Sequence, residues 1–165
     1  MTNETKIILD HWKDDFPNDR LAHLIKDATR ALVRSLQIKL REHEIPFSQW
    51  SILRILWTQD GLTQRELSSI AGIMESTTAN VVRTMETKGY ISRRHIGKNR
   101  RKRHVFLTPK GKKLEDKLVP LAEEVNRIAR KDIHQKDIQT LRNCLLTMIE
   151  NLGSEEATNN NNTLY

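Results

Sequence analysis

Residues 62–72 read Leu-Thr-Gln-Arg-Glu-Leu-Ser-Ser-Ile-Ala-Gly, and this stretch decides the fold. Thr63 and Glu66 stand in T-x-x-E spacing. In that spacing the threonine hydroxyl accepts from the Glu66 amide while the glutamate reaches back, satisfying donors that a helix start leaves orphaned. Leu62 before the cap and Leu67 after it fit a hydrophobic staple. A short helix is therefore expected over residues 64–71, with Gly72 turning the chain. A second helix follows over about residues 75–88 and stops at Gly89. Two short helices joined by a tight glycine turn make a helix-turn-helix.

Working outward toward the C-terminus, residues 90–96 and 103–107 have β character, and residues 97–102 form the turn of a hairpin. In a symmetric hairpin His95 and His104 would face each other. Thr108-Pro109 restarts a helix, threonine capping and proline in the first helical position. It should run to about residue 131 with Leu114, Leu118, Leu121, Val125 and Ile128 on one face, bent at Pro120. A last helix over residues 136–152 places Ile138, Leu141, Leu145, Ile149 and Leu152 inward. Gly153 should stop it, leaving residues 154–165 as a disordered tail.

Toward the N-terminus, residues 48–58 read as a helix with Trp50, Leu53, Leu56 and Trp57 as core candidates. Before Pro46 a long helix is expected over about residues 19–43, striped by Leu21, Leu24, Ile25, Ala28, Leu32, Leu36 and Leu40. Ile8, Trp12 and Phe16 suggest a short amphipathic helix ahead of Pro17. The fold class is mainly α with a small β-hairpin wing: a winged helix-turn-helix flanked by N- and C-terminal dimerisation helices. Residues 1–45 and 109–153 dimerise, and residues 46–108 form the DNA-binding domain. The end helices carry more apolar stripe than one small module can cover, so their expected fate is to pair with a second copy.

Charge singles out the same region. The chain has 28 Lys and Arg against 21 Asp and Glu in 165 residues, a net charge of +7. Residues 91–113 hold ten of those cations and no carboxylate, leaving 18 basic against 21 acidic side chains elsewhere. One segment thus carries all the positive excess, and such a patch attracts polyanions and releases their counterions. On a helical wheel of residues 75–88, Thr78, Val81, Val82 and Met85 face the core, and Ser76, Asn80, Arg83 and Thr87 face outward. Asparagine can pair with an adenine edge, and serine or threonine can reach bases, phosphates or a thymine methyl. Ser76, Thr77 and Asn80 are the candidates for base contacts, Arg83 and Thr84 for phosphates. Thr63, Gln64 and Arg94 are further candidates for the DNA interface. The hairpin tip, Lys98-Asn99-Arg100-Arg101-Lys102, fits a wing whose arginine, Arg101 first and then Arg100, enters the minor groove.

In order and spacing, these residues resemble the MarR family of bacterial transcription regulators. The match runs from Gln49-Trp50 with Leu53 through Leu62-Thr63-Gln64 and Glu66-Leu67. It continues with Ser76-Thr77, Met85-Glu86, Lys88-Gly89-Tyr90-Ile91 and Arg93-Arg94. It closes with Arg100-Arg101, Val105 and Leu107-Thr108-Pro109-Lys110-Gly111. The resemblance implies a homodimer on a pseudopalindromic double-stranded DNA operator. It further implies a repressor released by a small, often aromatic, effector bound between the dimer helices and the DNA-binding lobes. For an organic acid, Arg30 or His23 would pair with the carboxylate and Trp50 would stack. Two departures stand out. Asn99 replaces the aspartate that usually steadies the wing arginine, and Met74-Glu75 replaces a small capping residue and proline at the recognition helix.

Other chemistries find no support. The sequence has no H-E-x-x-H, P-loop, G-x-S-x-G or C-x-x-C, so neither enzyme, metal site nor cofactor is expected. Cys144 cannot form an intrachain disulfide and is expected as a packed thiol in a cytoplasmic protein. No run approaches membrane-spanning length. Two rival readings remain: a ligand-independent architectural or anti-silencing DNA-binding protein, and a winged-helix protein-interaction module.

Overall fold

The computed structural model describes residues 2–12, 21–96 and 102–162, with side chains described to residue 155. Eight helices and three strands are present among them: α1 (Asn3–His11), α2 (Leu21–Arg41), α3 (Phe47–Thr58), β1 (Leu62–Thr63), α4 (Gln64–Ala71), α5 (Glu75–Thr87), β2 (Ile91–His95), β3 (Arg103–Leu107), α6 (Pro109–Lys113), α7 (Glu115–Ala129) and α8 (Gln135–Asn162). The chain divides into two compact units, Met1–Asn126 and Arg127–Tyr165.

In the first unit the core gathers where α3 is hydrophobic nearly all round. Ile52, Leu53 and Leu56 are buried there with Leu40 of α2, Leu67 of α4, Val82 and Met85 of α5, Val105 of β3 and Leu118 of α7. The cap expected at Thr63 forms in full: Glu66 N–H donates to Thr63 Oγ1 at 3.3 Å, and Thr63 N–H donates to Glu66 Oε2 at 2.7 Å. Leu62 and Leu67 are both buried in the common core, as the staple requires. Gly72 takes the left-handed conformation, φ +63°, and ends α4.

The three strands form an antiparallel sheet in the order β1-β3-β2. Pairing of Leu62 with Val105 makes the cap residues of α4 part of the sheet. A strand of two residues has no period to read, so the sequence shows only its cap. The hairpin register pairs Ile91 with Leu107 and Arg93 with Val105, hence Arg94 with His104 and His95 with Arg103. His95 and His104 therefore do not face each other, because burial of Ile91 and Val105 sets the register one residue away from the symmetric one. The base of the hairpin is closed: Thr108 N–H donates to the Tyr90 carbonyl at 3.0 Å, and its hydroxyl to the Gly89 carbonyl at 2.7 Å.

Two helices depart from expectation. The helix expected from Pro109 to about residue 131 is interrupted at Leu114, giving α6 and α7. The break lies beside Gly111, whose carbonyl accepts the Trp57 indole N–H at 3.1 Å. The last helix runs past Gly153 to Asn162 instead of stopping. Glycine stops a helix by adopting positive φ, and Gly153 is not among the residues that do so. On α8 Leu141, Leu146, Ile149 and Leu152 are exposed, and so is Cys144, expected as a packed thiol. Of the α2 stripe, Leu36 and Leu40 are buried while Leu21, Leu24 and Leu32 are exposed.

Candidate nucleic-acid interface

Helix α5 is the element on which the site is built. Thr78, Val82 and Met85 are fully buried on one side, which leaves Ser76, Thr77, Asn80, Arg83 and Thr84 exposed. The exposed hydroxyls are partly tied to the helix: Thr84 Oγ1 donates to the Asn80 carbonyl at 3.0 Å. Thr84 can still accept from a donor, and its methyl group remains a surface for contact.

A second group of residues fixes α5 to its neighbours. With its guanidinium, Arg93 on β2 donates twice to Glu86 Oε2 on α5, at 3.0 Å from Nε and 2.5 Å from Nη2, and to Gln64 Oε1 on α4 at 3.3 Å. Its backbone N–H also reaches Glu86 Oε1 at 3.2 Å. One guanidinium thus joins sheet, recognition helix and leading helix. The Arg93 hydrogen bond, followed by its charge, holds the Glu86 carboxyl below the usual glutamate range against the opposing effect of burial. Gln64 is consequently oriented by its oxygen, and what it offers an anion is its amide nitrogen. Thr63, proposed for the interface, has its hydroxyl committed to the cap, since Oγ1 also donates to Glu66 Oε2 at 2.7 Å. The backbone and hydroxyl hydrogen bonds from Thr63 lower the Glu66 carboxyl in turn.

The described part of the hairpin adds positive charge. The Arg94 guanidinium lies 3.9 Å from the centre of the Phe106 ring, a stacking that holds it at the exposed surface. Lys102 is exposed, and its carbonyl is bonded to His95 Nδ1 at 3.1 Å. An open groove of about 630 Å³ runs between these elements, lined by Thr63, Gln64, Arg65, Glu75, Lys102 and Arg103 among others. Lys98, Arg100 and Arg101 lie outside the described residues. Lys110, at the start of α6, donates to the Lys88 carbonyl at 2.9 Å and stands 4.9 Å over the Tyr90 ring.

The effector candidates separate. Trp50 is buried, edge-on to Trp57 at 5.7 Å, and lines a cleft of about 310 Å³ with Leu32, Val33, Phe47, Arg54 and Val125. Arg30 does not line that cleft: it pairs with Glu4 of α1 at 3.2 Å, and Arg34 pairs with the same carboxylate. His23 is exposed and also outside the cleft. The cation at the cleft is Arg54, which the sequence reading missed. Its position four residues after Trp50 on α3 puts both on one helix face and was the available signal.

Residues 45–102 match the family model of the MarR family. Over 101 residues the chain is 27% identical to the HTH-type transcriptional regulator TtmR of Methylorubrum extorquens, covering 61% of this chain and 52% of that protein. The aligned region thus spans about half the length of that relative. Among solved structures, a MarR transcriptional regulator from Methanosarcina mazei superposes with a TM-score of 0.74 at 27% identity, covering 87% of this chain and 96% of the other. A putative MarR family regulator from Listeria monocytogenes, solved with a 26mer DNA, gives a TM-score of 0.73 at 25% identity over 82% of this chain and 90% of the other.

Proposed function

We propose that this chain, whose residues 45–102 match the MarR family model, is a sequence-specific double-stranded DNA-binding regulator acting as a cytoplasmic homodimer. The observation that carries this reading is the exposed face of α5, with Ser76, Thr77, Asn80 and Arg83 turned away from a fully buried Thr78, Val82 and Met85. Ser76, Thr77 and Asn80 read base edges, while Arg83, Thr84, Gln64, Arg94 and Lys102 hold phosphates. Thr63 acts through the cap. Lys98, Arg100 and Arg101 supply the wing's minor-groove contact.

Transcription is repressed, and a small organic acid with an aromatic ring releases the DNA. The supporting observation is the apolar cleft, where Trp50 offers a ring face or edge and Arg54 a partner for a carboxylate. Arg30, already paired with Glu4, is not required. In a screen of aromatic acids, Arg54→Ala should abolish the response and Arg30→Ala should keep it; the reverse pattern would refute this placement.

The regulator reading is tested by titrating the purified protein against its own upstream DNA and scrambled DNA across a salt series. A dimer making about six to ten phosphate contacts gives a log–log slope of about −5 to −9. Specific binding surviving near-physiological salt is the expected result. Equal binding to both DNAs favours an architectural protein, and binding to neither favours a protein-interaction module.

A further inference from the structure

We infer that Met74 is a specificity-determining residue of the DNA interface, its side chain reading the 5-methyl group of a thymine in the major groove. The inference rests on the regulator reading and names one chemical feature of its operator. Met74 is 76% exposed, the most exposed of the described large apolar side chains. It is the N-cap of α5, in extended backbone, and its side chain makes no capping bond. A methionine here gives up the bond that serine or threonine would make to the first-turn amides, and it also leaves an apolar side chain in water. Neither packing nor capping explains the residue.

The backbone around it is held firmly. On one side Ser68 Oγ donates to the Ile73 carbonyl at 2.5 Å, and Ile73 N–H donates to the Ser68 carbonyl at 3.2 Å. On the other side the Met74 carbonyl accepts the Thr78 amide at 3.0 Å and the Thr78 hydroxyl at 3.2 Å. A flexible side chain therefore projects from a fixed root at the leading end of the helix. That end of a recognition helix approaches base edges most closely. On the major-groove edges the thymine methyl is the apolar feature, and the others are hydrogen-bonding groups for which a thioether is a poor partner. An unbranched, polarizable side chain adapts well to such a contact. Next to it, Ser76 and Thr77 supply the polar contacts, so apolar and polar readout lie in one turn of helix.

The test replaces thymines of the bound upstream site with deoxyuridine one position at a time, which removes only the methyl group, and measures affinity of the full chain. For the wild type, one thymine per half-site should cost about fourfold when demethylated, the worth of one methyl group withdrawn from water. Met74→Ser, which supplies a cap hydroxyl and so preserves the fold, should abolish the sensitivity at that position alone. Met74→Leu should retain it. No position whose methyl dependence vanishes in Met74→Ser would overturn the inference while leaving the regulator reading intact. Wild-type protein that does not distinguish its own DNA from scrambled DNA would overturn both.

Discussion

Arg93 shows how much of the site depends on residues that need not touch DNA. Its guanidinium bonds Glu86 and Gln64 together, so removal of the carboxylate cuts the polar link from α5 to β2 and, through Arg93, to α4. Glu86→Gln should weaken operator binding about two- to fivefold, the range of a partly exposed ion pair. The same pair sets an acid limit. Glu86 and Glu66 both have depressed carboxyls in the folded protein. Their stabilisation is therefore complete above the ordinary glutamate range and is lost as pH falls through the depressed folded values. The thermal midpoint should drop on acidification less steeply in Glu86→Gln than in the wild type, read by circular dichroism at constant salt. Equal slopes would remove the pair from the acid response. The capping box was visible in the sequence because its partners are three residues apart. The Arg93 network was not, because it needs a strand register and a helix packing that no local spacing encodes.

At the scale of the elements, the cap of α4 and the faces of α5 were legible, whereas a break set by contacts between elements and the continuation of α8 through Gly153 were not. Buried and exposed faces of α5 follow from periodicity, and α4 begins and ends where its cap and glycine stand. The α6–α7 break arises beside a contact from Trp57, which lies 54 residues away from Gly111. A Cβ on Gly111 would fall 2.0 Å from the Tyr90 carbonyl oxygen. Gly111→Ala must force these segments apart, and a loss of roughly 1–3 kcal/mol is expected in urea unfolding. Gly153 behaves oppositely. Nothing lies within 4 Å of a Cβ built there, and the glycine sits inside α8. Gly153→Ala should raise helicity and stabilise α8 by about 1 kcal/mol, whereas a loss of helix signal would restore the stop expected from the sequence.

At the scale of the whole molecule, apolar side chains without cover set the terms. Leu21 and Leu24 of the first unit and Leu141, Ile149 and Leu152 of the second are all exposed in the single chain. If a second copy covers them, thermal stability rises with protein concentration. Sedimentation should give a dimer for the wild type and a monomer for an Ile149→Asp, Leu152→Asp double variant; a wild-type monomer at micromolar concentration would defeat the dimer. The closed base of the hairpin has a different kind of consequence. Tyr90 and Thr108 are held together by their own hydrogen bonds, at 3.0 Å and 3.1 Å, whatever lies between β2 and β3. A tip anchored in this way is an insertable cassette: doubling its length costs only about 0.6 kcal/mol of closure entropy. The tip can therefore be exchanged for one of another length or charge while the rest of the protein keeps its shape.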